Sequence, residues 1–314
     1  MKADDYVYAV AYIKTLENKS LTKNDFYELS NSENAEKFIQ ILEQKGYKNI
    51  NSQNFYEMLG EELKRVVKEV ESVCDGEFLK FFLLKNDFHN LKTLIKAKKT
   101  NMSVDNLMLE PSVVDSQKIR DCVFDNDFNS LPEELKEAAK QACRLSTNNS
   151  DPQQMEIYLD KSLWFVLYDI AKKIKNDFLT GWVRLNADII NMKIATRCIG
   201  RGLIDNALIG FSNLDFTNEY FQSTDEVVDF FEKSVYIGGG KALKKSVAEF
   251  EKWCDNLKID YIKSAKNSYF GIEPVFSFLV SKEYELQALR LIFYGKKNEL
   301  SPEEIKERLR DFYG

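Results

Sequence analysis

Residues that break or bend a helix are scarce in this chain. Five prolines and 13 glycines are spread over 314 residues, so long uninterrupted helices are expected. A single histidine, His89, excludes a histidine-cluster metal site and leaves any Ser–His or Cys–His nucleophile arrangement hanging on one residue in an apolar helix. Five cysteines (Cys74, Cys122, Cys143, Cys198, Cys254) stand singly, odd in number and without a C-x-x-C pair. That excludes a disulfide framework and a cysteine metal site, and buried inert thiols are expected. No stretch approaches the roughly 18 apolar residues of a membrane span, and Met1-Lys2-Ala3-Asp4-Asp5 leads into no signal-peptide core, which predicts a cytosolic protein. Excess positive charge is also lacking. A net charge of −6 argues against a general nucleic-acid binder, because phosphate neutralisation needs a basic face.

What is present is 44% hydrophobic and 30% charged residues, enough for sizeable cores beneath a charged surface and incompatible with whole-chain disorder. One pattern returns three times. Asp87-Phe88-His89-Asn90-Leu91-Lys92 is echoed by Asp188-Ile189-Ile190-Asn191-Met192-Lys193 and, more faintly, by Glu285-Leu286-Gln287-Ala288-Leu289-Arg290, with acid-to-acid spacings of 101 and 97 residues. A period of about 100 residues is too long for a solenoid unit and predicts three copies of a small domain.

Helical signals fit that division. Val275, Phe278, Leu279, Leu286, Leu289, Ile292 and Phe293 keep the spacing of one apolar stripe on a helix. Strand-like alternation is not sustained anywhere. Leu300-Ser301-Pro302-Glu303-Glu304-Ile305 combines a capping serine, proline at the first helical position, a box-closing glutamate and a Leu300–Ile305 staple. Thr22 with Asp25 repeats the layout, and Ser130 with Glu133 and Ser223 with Glu226 keep its spacing. The expected domains are 1-112, 113-212 and 213-314, with the last helix near the first domain. Thr100 to Asn129 and Asp205 to Gln222 read as linkers, and Thr147 to Pro152 as a loop.

Most apparent chemical motifs fail on inspection. Gly238-Gly239-Gly240-Lys241 is preceded by Val235 and followed by Ala242 where a P-loop needs glycine and a hydroxyl, so it reads as a flexible break between helices. Asp125-Asn126-Asp127-Phe128-Asn129 begins like a calcium loop, but Ser130 and Lys136 occupy the required glycine and glutamate positions. Asp4-Asp5 and Glu61-Glu62 are ordinary carboxylate pairs of an acidic helical protein. No cofactor, metal or catalytic group is expected.

The repeated acid–Asn–basic segment is the remaining polar constellation. Asp and Asn are poor mid-helix residues, so their return after apolar runs implies side-chain hydrogen bonds. Two roles are open for Asp87, Asn90, Lys92, Asp188, Asn191, Lys193, Glu285 and Arg290: cross-linking inside each domain, or turning toward a shared axis to meet a partner.

Tyr261-Ile262-Lys263-Ser264-Ala265-Lys266, Gly271-Ile272-Glu273-Pro274, Leu289-Arg290-Leu291-Ile292 with Gly295-Lys296, and Leu300 to Leu309 closely resemble the C subunit of the V-type (A-type) rotary ATPases, the family that includes the eukaryotic V-ATPase d subunit. The resemblance also takes in the Asp87–Lys92 segment, Leu159-Asp160-Lys161 with its partial echo Cys254-Asp255-Asn256, and the opening Tyr8-Ala9-Val10-Ala11 with Leu16-Glu17. Tyr12 departs from it, standing where the family commonly shows arginine.

The resemblance implies an all-α funnel of three similar helical-bundle domains. It implies a noncatalytic central-stalk rotor component of a V-type ATPase or ATP synthase, a socket coupling the D and F axle subunits to the membrane proteolipid rotor ring during proton or sodium ion transport. Such a component lies peripherally on the cytoplasmic face of the membrane and touches it only through the ring. An all-helical scaffold binding another protein helix is the alternative. An all-helical enzyme is disfavoured by the missing nucleophile–base pair and metal cluster.

Overall fold

The computed structural model describes residues 6–48, 50–74, 76–147, 152–201, 207–216 and 219–314. Among the described residues the protein is all-α, with no strand. In chain order the helices are α1 (Val7–Glu17), α2 (Lys23–Ser30), α3 (Ala35–Gln44), α4 (Phe55–Glu71), α5 (Gly76–Thr100), α6 (Ser116–Asp125), α7 (Glu133–Thr147), α8 (Pro152–Ile174), α9 (Asp177–Arg197), α10 (Thr224–Glu232), α11 (Ile237–Lys245), α12 (Val247–Lys263), α13 (Glu273–Lys297) and α14 (Pro302–Arg308). None is long and apolar enough to cross a membrane.

The chain forms two compact units, one of Met1–Asp75 with Lys245–Gly314 and one of Gly76–Lys244. In the first, α13 is the central helix. Val275, Phe278, Leu279, Leu286, Leu289, Ile292 and Phe293 are all buried, as their spacing predicts. Its second half meets Leu21, Phe26, Phe38, Leu42, Phe55 and Leu59 from early in the chain, and Ile305 and Leu309 from late in it, in one apolar cluster. Phe293 stacks on Phe55 with ring centres 4.0 Å apart. In the second unit, α5 packs on α6, α7 and α8, and α8 on α9. Ion pairs Lys80–Glu134, Lys92–Asp160 and Lys96–Glu156 tie these helices at their rims, where such pairs add register more than stability.

The capping chemistry is as the sequence indicates at two sites. Thr22 and Ser301 each accept from the backbone N–H three residues on, at 3.3 Å, while Asp25 and Glu304 accept from the cap N–H at 2.7 and 2.8 Å. Both reciprocal boxes are complete. Ser223 caps α10 by accepting from Glu226 N–H, but the Glu226 carboxylate accepts from Gln222 N–H instead. Ser130 caps nothing: its hydroxyl lies 3.2 Å from Cys122 Sγ, and the Pro132 carbonyl opens α7 by accepting from Leu135 and Lys136.

Two other expectations are corrected. The supposed linker from Thr100 to Asn129 contains helix α6, capped by Asp115, whose side chain accepts from Gln117 and Lys118 N–H. Gly238-Gly239-Gly240 is no break but part of α11; a Cβ at Gly240 would sit 3.1 Å from the Val228 carbonyl of α10, so this glycine permits close helix packing. The expected loop from Thr147 to Pro152 lies at residues 148–151 outside the described residues. All five cysteines are free; Cys122, Cys143 and Cys254 are buried, Cys74 and Cys198 half-buried.

Gly295 shows how tightly α14 is seated. A Cβ there would lie 2.7 Å from Ile305 Cγ1, closer than van der Waals contact allows. Gly295→Ala is therefore expected to lower stability by about 1–3 kcal/mol through overpacking, against the roughly 1 kcal/mol that alanine gains over glycine in an open helix. Urea unfolding checks the sign.

Candidate functional site

The three repeat positions fall at the middle of three long helices, α5, α9 and α13. Ionised or amide side chains in such a place must find partners, because an unpaired buried polar group costs about 1–3 kcal/mol. Each finds them on its own chain.

On α5, Asp87 is completely buried. Its two oxygens accept from the backbone N–H groups of Val113 and Val114 at 2.9 and 2.8 Å. One helical turn on, Asn90 uses both halves of its amide on a single loop residue: Nδ2 donates to the Leu109 carbonyl at 2.9 Å and Oδ1 accepts from Leu109 N–H at 2.7 Å. Asn86 Nδ2 donates to the Pro111 carbonyl, and the exposed His89 ring contacts the Leu107 carbonyl at 3.1 Å. The segment from Met108 to Val114 has no regular secondary structure to satisfy its backbone, so the face of α5 does it.

On α9 the same device recurs. Asn191 pairs both ways with Ile209, donating at 3.0 Å and accepting at 2.9 Å. Asp188 accepts from Asn213 N–H at 2.6 Å, Asn213 Nδ2 at 2.7 Å, Ser212 Oγ at 2.5 Å, Leu214 N–H at 3.3 Å and Tyr236 Oη at 2.6 Å. From Asn to its loop residue is 19 positions in the first copy and 18 in the second. The repeat read from the sequence is thus a repeat of hydrogen-bond geometry.

The third copy, on α13, is altered. Ala288 occupies the asparagine position, so the two-way amide pair is lost. Glu285 instead accepts from Leu21 N–H at 2.9 Å, from Tyr47 Oη at 2.5 Å and from Lys282 Nζ at 2.5 Å. Lys282, itself buried, lies 3.3 Å from Glu62, which also takes a two-pronged bond from Arg65 at 2.8 and 2.9 Å. Here the clamped segment comes from 264 residues earlier in the chain.

Titration follows surroundings. Burial pushes the Asp87 carboxyl up to about 6, the two backbone N–H bonds only partly offsetting the desolvation. Burial first, and then the Glu285 charge, raise the Tyr47 phenol well above its usual range. Burial works upward on Glu62 too, but Arg65 and Lys282 hold its carboxyl below the ordinary glutamate value.

The basic members sit elsewhere. Lys92 is half-buried and paired with Asp160, Lys193 is half-buried, and Arg290 is exposed. The structure therefore separates the eight repeat residues: Asp87, Asn90, Asp188, Asn191 and Glu285 are buried, whereas the three cations are less covered, Lys92 and Lys193 half-buried and Arg290 exposed. Tyr236, Tyr47, Lys282 and Glu62 were missed by sequence reasoning. Tyr47 and Tyr236 lie far from their acids in the chain, so spacing gave no signal; Lys282 at three residues before Glu285 was the one legible cue. Among the described residues no group of three or more His, Cys, Asp or Glu is placed to hold a metal ion.

Replacing Asn191 by leucine keeps the heavy-atom count and branching, at a larger volume, and leaves Ile209 N–H and carbonyl unpaired. A loss of about 2–4 kcal/mol is expected, measured by denaturant unfolding, with faster amide exchange at Ile209. For Asp87 the folded value lies above the unfolded 3.8; its contribution therefore favours folding below pH of about 4 and is lost as pH rises through about 6. A carboxyl-carbon titration is expected to find the Asp87 midpoint near 6, and a midpoint at or below 3.8 contradicts the assignment.

The sequence model of the family described as "ATP synthase (C/AC39) subunit" matches residues 9–308. The chain is 24% identical over 258 residues to the V-type sodium ATPase C subunit of Enterococcus hirae, covering 77% of each chain. It is 23% identical to the A-type ATP synthase C subunit of Methanocaldococcus jannaschii, over 97% of this chain and 86% of that one. It is 21% identical to the V-type ATP synthase C subunit of Thermus thermophilus, over 96% and 99% of the two chains.

Proposed function

The chain belongs to the ATP synthase (C/AC39) subunit family, and from that premise we propose that it is a noncatalytic central-stalk rotor component, a socket that couples the D and F axle subunits to the membrane proteolipid ring. The match over residues 9–308 carries this reading. Its relatives are named as the C subunits of V-type and A-type ATPases and ATP synthases, so the socket works within a rotary complex that moves protons or sodium ions. It lies on the cytoplasmic face and meets the membrane through the ring.

Physical support comes from stiffness. A torque coupler must not yield, and the loops that face Asp87, Asn90, Asp188 and Asn191 have their backbones hydrogen-bonded to a helix face. A division into three domains, 1-112, 113-212 and 213-314, forms part of the proposal; one long acid-bearing helix falls in each. Lys92, Lys193 and Arg290 are the members of the repeat we assign to partner contact, because they are less buried than its acids and amides, Arg290 most of all. Charged contacts of this sort set association rate and register more than raw affinity.

Raising salt from about 50 to about 300 mM is expected to weaken binding of the isolated D and F axle subunits about tenfold or more. Affinity that ignores salt removes the electrostatic seat. Recovery of the proteolipid ring and axle subunits with the tagged chain supports the coupler, whereas unrelated partners alone support a scaffold.

A further inference from the structure

Residues after α14 have no regular secondary structure and begin with Leu309 in the extended region at φ −66° and ψ 147°. Each takes its own partner, and the partners are scattered. Arg310 Nε donates to Asp255 at 2.9 Å, and Asp311 N–H donates to the Asn256 side-chain oxygen at 3.0 Å. Phe312 stacks on Phe26 with ring centres 4.5 Å apart and meets Tyr27 edge-on. The Tyr313 hydroxyl donates to Glu17 at 3.1 Å, while its carbonyl accepts from Lys266 Nζ at 2.9 Å and its ring lies 5.0 Å beneath that ammonium. Gly314 closes on the Leu21 carbonyl, where a Cβ would come within 3.0 Å.

The contact pattern is that of a bound peptide rather than of a core element. Side chains of α1, α2, α12 and the turn after α12 read an extended segment residue by residue, with alternating charge and aromatic recognition. Of the segment, only Leu309 is buried; Asp311 and Gly314 are exposed and Arg310, Phe312 and Tyr313 half-buried. The segment lines an open cleft of about 210 Å³ together with Leu21, Phe26, Tyr284, Glu285 and Leu291. An element that borders an open cleft and is held by half-exposed polar bonds and one aromatic stack belongs to the low-stability end of a fold.

Its position gives that looseness a consequence. Leu21 is engaged on both sides, its N–H bonded to the buried Glu285 carboxylate at 2.9 Å and its carbonyl covered by Gly314. We propose that residues 310–314 are a detachable strap, and that the groove they occupy is a peptide site specific for an extended Arg-Asp-Phe-Tyr segment, whose occupancy controls water access to the Glu285 clamp. The native occupant is this segment itself. This inference stands apart from the proposed coupling role, since it concerns one unit of the isolated chain.

The test uses the chain lacking residues 310–314, the full chain with Phe312→Ala, and the synthetic peptide Arg-Asp-Phe-Tyr-Gly, with Leu21 amide exchange as readout. The truncated chain is expected to stay helical by circular dichroism and to exchange the Leu21 amide at least about tenfold faster than the full chain, with Phe312→Ala intermediate. Peptide added in trans is expected to bind the truncated chain with a Kd below about 1 mM and restore slow exchange, while a scrambled peptide does not. Full-length protein is expected to ignore the peptide. Failure of the truncated chain to fold overturns detachability. Unchanged Leu21 exchange, or equal binding of the scrambled sequence, overturns the groove's control and its specificity.

Discussion

A carboxylate inside a helical bundle is tolerated only where N–H and O–H groups fill its oxygens, because taking the bare charge out of water costs several kcal/mol. That constraint organises this protein. Asp87, Asp188 and Glu285 each stand at the middle of a long helix, and each draws a segment remote in sequence against that helix to satisfy it. Irregular backbone has the complementary need, since Leu109 and Ile209 must place an N–H and a carbonyl without a helix or sheet to receive them. Asn90 and Asn191 supply both partners at once. Acid and amide together fasten the loops to the helices through their backbones.

The three copies are not equally well compensated. Asp188 receives five hydrogen bonds, including one from the Tyr236 hydroxyl, whereas Asp87 receives two backbone N–H groups and is pushed toward neutrality by burial. Glu285 sits in a network with Lys282, Tyr47, Glu62 and Arg65, so its charge is met by a buried cation. The longer glutamate stands in the copy where the amide clamp is gone at Ala288. One geometric theme is thus carried by three different electrostatic solutions.

Local chemistry was legible in the sequence. The stripe on α13, both complete capping boxes and the return of acid and asparagine after apolar runs all rest on neighbours within a turn or two, which spacing records. Failures come where tertiary packing overrides local signals. Ser130 has a cap's spacing but turns to Cys122, and three glycines that resemble a break are helical, with Gly240 packed close to α10. Partners at long separation leave no periodic trace: nothing near Leu21 or Tyr47 announces Glu285. The division between buried acids and less covered cations follows from helix phase once the helices are placed, but only packing shows which side is covered.

Native-state hydrogen exchange at the loop amides of Leu109, Val113, Val114, Ile209 and Asn213 tests the central claim most directly. These amides belong to segments without regular secondary structure, yet each is bonded to a side chain on the face of α5 or α9. The account predicts exchange slowed to the level of the helix interiors, with the amides on each helix released together in the same opening. Exchange near free-loop rates, while α5 and α9 stay protected, would contradict it.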